Sequence, residues 1–400
     1  MDAVDPDSRV LRRASLAALV GYFLRLGAFG FGGPIALAGY MQRDLVEERG
    51  WVTKDEYVKG LALAQLAPGP LAAQLAIYLG WSRGGIVGAT LVALAFVAPS
   101  FVMVLTISAA YVRFGGLPWM QAAFYGIGAA VIAIVLRSAW KLMRLTLRRD
   151  VVLWAIFIVN ALATAIMEAE VVSLIVGCGV ATLAADAWKR QRAVAASLAL
   201  PFASLSWPAL PSTLLTSASI ATTGATAGSF PLFWFFAKAG AVVFGSGLAI
   251  VPFLYGGVVR EHQWLTDQQF LDAVAVAMIT PGPVVITVAF IGYLVDGVTG
   301  AMLASLGVFL PCYLFVVIPA PFYARFADNP RLKALVDGVT AAATGAIAGA
   351  VYVLARRAIF DVPTLLIFAL TMLCLVWLKK IPEPVVIALV GAGAVLFRVL

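Results

Sequence analysis

Two cations stand at matching places inside otherwise apolar stretches: Arg25, and Lys238 213 positions further on. At the centre of a bilayer such a side chain costs about 2.5–3.5 kcal/mol unless it is paired, hydrated or able to snorkel to the surface. Snorkelling is open to both. That each stretch keeps a cation, and not a carboxylate, at the same place argues for use. Nearby are groups that can donate neutral hydrogen bonds: Gln65 and Gln74 flank Pro68-Gly69-Pro70, and Thr280 and Thr287 flank Pro281-Gly282-Pro283. A Gly-rich stretch from Gly27 to Pro34, with Gly30, Gly32 and Gly33, is answered by Gly240 to Gly247, with Gly245, Ser246 and Gly247. Carboxylates are scarce in these stretches. The inventory suits an anion, and a tetrahedral dianion such as sulfate needs donors converging from several directions.

These residues interrupt helices, and the interruptions have two readings. Gly costs about 1 kcal/mol per helix position relative to Ala, and Pro about 3. The Gly-rich stretches read either as close helix packing of the small-xxx-small kind or as unwound backbone offering N–H groups to a ligand. The pieces around the first Pro-Gly-Pro, Glu56–Ala67 and Leu71–Gly80, are each too short for roughly 30 Å of hydrocarbon, though together they can span it. Pro70 and Pro283 suit the first position of a new half-helix, whose positive end would then point into the membrane. A plain structural kink is the alternative. Acidic residues collect at helix edges. Glu48 and Glu261, three residues before Trp51 and Trp264, are weak candidates for proton coupling, with Asp272 and Asp337 as rivals. The two Trp read as interface anchors, and His262 as a solvated loop residue.

The elements that carry these residues come in two copies. At an offset of 213, Gly27, Phe31, Glu48, Trp51, Thr53 and the first Pro-Gly-Pro match Gly240, Phe244, Glu261, Trp264, Thr266 and the second. After one lost residue, Gly80, Gly88, Pro99, Arg113-Phe114 and Gly126 match Gly292, Gly300, Pro311, Arg325-Phe326 and Gly338. Paired repeats with matching interruptions mark a secondary transporter. The expected organisation is a first repeat over 1–147, a connecting transmembrane hairpin over 148–193 and a linker over 194–229 with room for one poor span. A second repeat over 230–357 and a C-terminal hairpin over 358–400 follow. With the N-terminus inside and each Pro-Gly-Pro segment taken as one broken span, one crossing in the linker puts Arg260, Arg325, Arg331, Lys333, Lys379 and Lys380 inside. Arg356 and Arg357 are then outside. The positive-inside rule thus favours repeats of opposite orientation; a re-entrant hairpin would change the parity.

Composition fixes the class. Hydrophobic residues are 62% of the 400 and charged residues 12%, against about 25% charged in a soluble domain, and mean hydropathy is +0.99. The fold expected is all-α and polytopic in the membrane. The net charge of +8 lies in short clusters that set topology, so no nucleic acid partner is expected. One His and the scattered Cys178, Cys312 and Cys374 build no metal cluster, and no cofactor is expected. No His/Asp/Glu or Cys/His constellation lies in the spans, which argues against an enzyme, and no phosphate-binding loop argues for an ATP motor. The basic N-terminus resembles a signal peptide without a small-residue cleavage site, so it reads as a retained first helix.

Phe29-Gly-Phe-Gly-Gly-Pro34, the run Arg49-Gly-Trp-Val-Thr53 with Tyr57, and Gln65-Leu-Ala-Pro-Gly-Pro70 resemble the chromate ion transporter family. Phe244-Gly-Ser-Gly247, Trp264-Leu-Thr266, Phe270 and Thr280-Pro-Gly-Pro283 are similar to the same pattern. The resemblance covers roughly 16–145 and 230–357. It implies a multi-pass carrier in the bacterial inner membrane that exports chromate for resistance, with sulfate as structural analogue and halves facing opposite ways. Gly33-Pro34 becomes Ser246-Gly247 in the second copy, a departure from strict symmetry. Export would run on protons or the membrane potential. The rival readings are a sulfate or other oxyanion uptake permease and, from another class, an intramembrane lipid-modifying enzyme. The sequence leaves a homodimer open.

Overall fold

The computed structural model describes residues 14–31, 33–115, 117–147, 150–168, 174–175, 177–185, 229–242, 247–325, 329–377 and 383–399. The expected linker lies outside the described residues, apart from its last position. Among the described residues there are helices and no strand, as lipid requires of a chain that must satisfy its own backbone. The first half runs α1 (Leu16–Phe29), α2 (Gly33–Met41), a π-helical turn (Gln42–Glu48), α3 (Lys54–Leu66), α4 (Leu71–Phe114), α5 (Pro118–Leu147) and α6 (Val151–Met167). A helical stretch over 177–185 is α7. The second half repeats the order: α8 (Ser229–Val242), α9 (Ile250–Leu254), a π-helical turn (Tyr255–Glu261), α10 (Asp267–Ile279), α11 (Thr287–Val317), α12 (Pro330–Ala358), α13 (Val362–Trp377) and α14 (Glu383–Val399).

The paired Thr residues of the sequence are helix caps. Thr53 Oγ1 accepts from the Glu56 N–H at 3.0 Å, and Thr266 Oγ1 from the Gln269 N–H at 3.2 Å, each starting the helix that leads to a Pro-Gly-Pro. The π-helical turns also recur in register. Each is closed by the same pair of bonds, Arg49 N–H to the Asp44 carbonyl and Trp51 N–H to the Leu45 carbonyl in the first, and His262 to Gly257 and Trp264 to Val258 in the second.

The long helices α4 and α11 are each two helices. At Gly84-Gly85 the backbone leaves helical geometry (φ −145°, ψ 24°, then φ 57°, ψ −142°), and Asp296-Gly297 does the same (φ −146°, ψ 38°, then φ 55°, ψ −143°). The positive φ selects glycine at the second position of both. Beyond the turn the chain folds back, so that Gly80 lies against the Gly88 carbonyl and Gly292 against the Gly300 carbonyl. In a straight helix those residues would be about 12 Å apart. Each long helix is therefore a short inner arm, a reversal and a long outer arm.

The reversal changes the reading of Pro-Gly-Pro. Gly60 of α3 packs on the Tyr78 ring of the inner arm, and Arg83 at the end of that arm reaches the Trp51 carbonyl and lies 3.7 Å from Glu56, back at the start of α3. Helix α3 and the inner arm are a re-entrant hairpin with Pro-Gly-Pro at its tip, where the positive-inside count had taken one broken span. With 13 residues, α3 is about 20 Å long, enough to reach mid-membrane but too short to cross roughly 30 Å of hydrocarbon. Helix α1 meets the π-helical turn that follows α2: Tyr22 donates to Asp44 Oδ2 at 3.3 Å, and the Arg49 guanidinium lies 5.5 Å from the Tyr22 ring centre, so this segment also returns to the face it left. Two hairpins thus enter from the first face, and only the outer arm of α4 crosses, with α5 returning.

The second half is inverted. Thr90, at the start of the outer arm of α4, sits 2.8 Å from the hydroxyl of Tyr313 near the end of α11. Tyr111, near the end of α4, donates to Asp272 of α10 at 2.7 Å and packs edge-on against Phe290. The outer arms are antiparallel neighbours, so α8 to α11 enter from the second face. Arg260, counted inside for a broken span, moves to the second face with Arg356 and Arg357, because the hairpin returns the chain to the face it left. The halves also interlock: α6 packs along α12, where Gly345 and Gly349 admit the Phe157 and Ala161 carbonyls, and α14 packs along α5, where Gly126 meets Ala394.

The inversion has a direct test. In a cysteine-free chain, with Ser replacing Cys312 as it stands at Ser100, Ile86→Cys and Val298→Cys follow the two reversals at exposed positions. An impermeant maleimide should label each from one side of sealed vesicles only, and from opposite sides.

Candidate functional site

The hairpin tips meet. The Gly282 N–H donates to the Gly30 carbonyl at 2.9 Å, joining the second Pro-Gly-Pro to the first Gly-rich tip. Ser100 Oγ donates to the Gly27 carbonyl at 3.3 Å and packs on Gly282, where an added Cβ would fall inside the hydroxyl. The mirror contact is built from the repeat partners: Cys312 Sγ lies 3.6 Å from the Gly240 carbonyl, and a Cβ on Gly69 would come within 3.0 Å of that sulfur. Gly69 and Gly282 hold φ of 136° and 94°, so backbone conformation and close approach both demand glycine. Each Pro-Gly-Pro thus rests on the outer arm of the other half.

Four helical segments start at these tips, with Gly33, Leu71, Gly247 and Val284 as their first residues. Their positive N-terminal ends therefore lie at mid-depth. Gly247 sits 3.3 Å (as an added Cβ) from the Val285 side chain, which brings the third and fourth starts together.

A cavity of about 780 Å³ opens from the first face down to Gly30 and Phe31. Arg25, Arg43, Arg49, Arg137 and Lys141 line it, with Asp44, Glu48 and Glu383 as its acids. Arg43 is held by Asp44 at 2.9 Å and Glu48 at 3.4 Å, and Arg49 lies over the Trp51 ring at 4.6 Å. Arg25, one and a half helical turns before Gly30, forms no ion pair among the described residues. Arg137 and Lys141 sit one turn apart on α5, opposite Glu383 at the start of α14. The cavity thus holds more cations than acids between the face and the tip.

The other sequence candidates fall in several places. Lys238 is exposed on α8 and lies on the second-face side of its own tip, so the inversion sets it and Arg25 on opposite sides of mid-membrane, roughly 15 Å apart along the normal at 1.5 Å per residue. The two cations do not share one pocket, as a single midplane site would have required. Gln65 is exposed. Gln74 is buried, its Nε2 donating to the Pro68 carbonyl at 2.6 Å within the tip, while its Oε1 has no partner among the described residues. Thr280 and Thr287 give their hydroxyl protons to the Val276 and Val284 carbonyls at 2.9 and 2.7 Å, so they are spent as donors. Pro70 and Pro283 directly precede the helical starts at Leu71 and Val284. Gly32, Gly245 and Ser246 lie outside the described residues. Glu48 and Glu261 are exposed at the ends of the π-helical turns. His262 stacks on Trp264 at 4.5 Å. Arg137 and Lys141 were not singled out from the sequence, although Arg137 interrupts an apolar run as Arg25 does.

An all-helical membrane protein with inverted halves, re-entrant tips meeting at mid-depth and a charged approach to them has the build of a transporter. The family description "Chromate transporter" matches residues 17–183 and 230–396, each stretch taking in the helices that follow a repeat core. A chromate transport protein of Cupriavidus metallidurans is 56% identical over 384 residues, 94% of this chain and 91% of that protein. One of Pseudomonas aeruginosa is 34% identical over 96% of this chain and 93% of its own length. No solved structure matches. The chain belongs to the chromate transporter family, and its work is to move a solute, not to transform one.

Gly282→Ala should destabilise the protein by about 1–3 kcal/mol from its φ alone, with the clash on Ser100 added. Ser100→Gly in the same chain should restore only the clash part. Thermal midpoints of the purified single and double variants read the two contributions separately.

Proposed function

We propose that this protein carries chromate out of the bacterial cytoplasm across the inner membrane, with the cation-lined cavity as its cytoplasmic entrance. The cavity supports the reading: five cations against three acids lead down to Gly30 and Phe31, just before the helical start at Gly33. Both relatives described above bear the name chromate transport protein, over nearly their whole length. Orientation follows from charge. Arg43, Arg49, Lys54, Lys59, Arg83, Lys141, Arg144 and Arg331 stand on the first-face side, and Arg113, Arg260, Arg356 and Arg357 on the second, among the described residues. The richer face is cytoplasmic by the positive-inside rule.

The cargo enters as a dianion. Arg25 takes the place of part of its water at the tip, while Arg137 and Lys141 hold it on the way down. A membrane potential negative inside drives each charge outward with about 2.3 kcal/mol per 100 mV, so about twice that for a dianion. Export is then downhill electrically, and the coupled ion sets how far it runs. Sulfate is the rival cargo, since charge and tetrahedral shape are common to both.

The test is transport in liposomes loaded with labelled chromate under a set potential, with sulfate as competitor. Arg25→Gln and Arg137→Gln should each lower the chromate rate about tenfold or more, the loss of one charged hydrogen bond of about 1.5–3 kcal/mol. Full activity in both variants ends the cavity as the chromate route; sulfate moved in preference to chromate ends the cargo assignment.

A further inference from the structure

Asp272 is the one Asp, Glu, Lys or Arg that is buried among the described residues, 3% exposed. It sits on α10 one turn past the second-face end of the hairpin, and its carboxylate is held by neutral donors. Tyr111 OH, from the first half, donates to Oδ2 at 2.7 Å, and Gln268 Nε2 to Oδ1 at 2.9 Å. All three residues line a second cavity of about 340 Å³, at the second face, with Gln121, Tyr125 and Phe124 of α5 and Phe360 beyond α12.

The charged groups on the elements packed against α10 are engaged elsewhere or turned away. Arg357 of α12 pairs with Asp267 and Glu168, and Arg260 of the π-helical turn with Glu168. Arg356 lies over Tyr352, and Arg113 of α4 is exposed over Phe114. Tyr255 donates to Asp267, and Tyr125 of α5 to Asp361. On α11, Asp296 is exposed at the reversal, and Glu383 of α14 faces the other cavity. No Lys or Arg pairs with Asp272 among the described residues. A carboxylate buried without a cation is costly as an anion, yet here it is next to a cavity that admits water. Its repeat partner, 213 positions earlier, is Lys59, exposed and paired with Asp55 at 2.6 Å.

We propose that Asp272 is the proton-binding group of the transport cycle. It takes a proton from water in the second-face cavity as the carboxylic acid and releases it when the hairpins shift toward the first face. Tyr111, fixed to the crossing arm of the other half, ties that step to the movement of the two halves. Glu48 and Glu261 are instead exposed at the ends of the π-helical turns. The assignment rests on the chromate transport proposed above.

The experiment compares two modes of chromate movement in liposomes: net flux driven by an imposed pH gradient, and one-for-one exchange at matched pH, which also controls for protonation of chromate itself. In the wild type both should occur. Asp272→Asn should lose the gradient-driven component, at least tenfold, while exchange persists. Tyr111→Phe removes a donor to the carboxylate, so the pH of half-maximal gradient-driven flux should move about one unit to the alkaline side. That shift also decides the matter if Asp272→Asn does not fold. Gradient-driven flux intact in Asp272→Asn, or no shift in Tyr111→Phe, overturns the assignment and leaves chromate transport standing. No chromate movement in the wild type by either mode overturns both.

Discussion

Backbone that leaves helical geometry inside lipid must find partners within the protein, and in this chain it finds them across the repeat boundary. The Gly282 N–H reaches the Gly30 carbonyl, Ser100 fills the space above Gly282, and Cys312 does the same above Gly69. Every other feature follows from having to bring four hairpin tips to one depth. The reversals at Gly84-Gly85 and Asp296-Gly297 return the chain to its own face so that the outer arms can cross. The glycine pairs at 80/88 and 292/300 let inner and outer arms touch backbone to backbone. The capping threonines set where the hairpins begin.

The inversion makes the two faces alike in architecture and unlike in charge. The first-face cavity ends on Arg25 and Gly30 under a set of cations, while the second-face cavity encloses Asp272. The scaffold of equivalent halves thus carries unlike side chains, and Asp272 stands where the first repeat has the exposed Lys59. The pairing of Glu168 and Asp267 with Arg260 and Arg357 adds a tie at the second face that has no described counterpart at the first.

The repeat, the membrane class and the interruptions were legible in the sequence because they are patterns of residue type at fixed offsets. The hairpins were not, for a physical reason: a broken span and a re-entrant pair bury the same apolar residues, and hydropathy does not record direction. The record was in Gly84-Gly85 and Asp296-Gly297, two glycine turns in register, each in the middle of an apolar run far too long for one crossing. Arg25 stood out because its own run is apolar. Arg43, Arg49 and Lys141 become its neighbours only through tertiary packing, and Glu383 comes from the far end of the chain. Thr280 and Thr287 have the right atoms for binding, but only coordinates reveal that their protons go to the preceding turn.

The exchange of helices between halves bears on how such a chain arose. Because α6 lies along α12 and α14 along α5, neither half encloses its own flank, and a lone half would leave both that flank and its tips bare to lipid. An ancestor with a single copy would have had to exist as an antiparallel pair inserted both ways up. One chain that holds a copy in each direction leaves the two sequences free to differ, as Ser100 and Cys312, or Lys59 and Asp272, do.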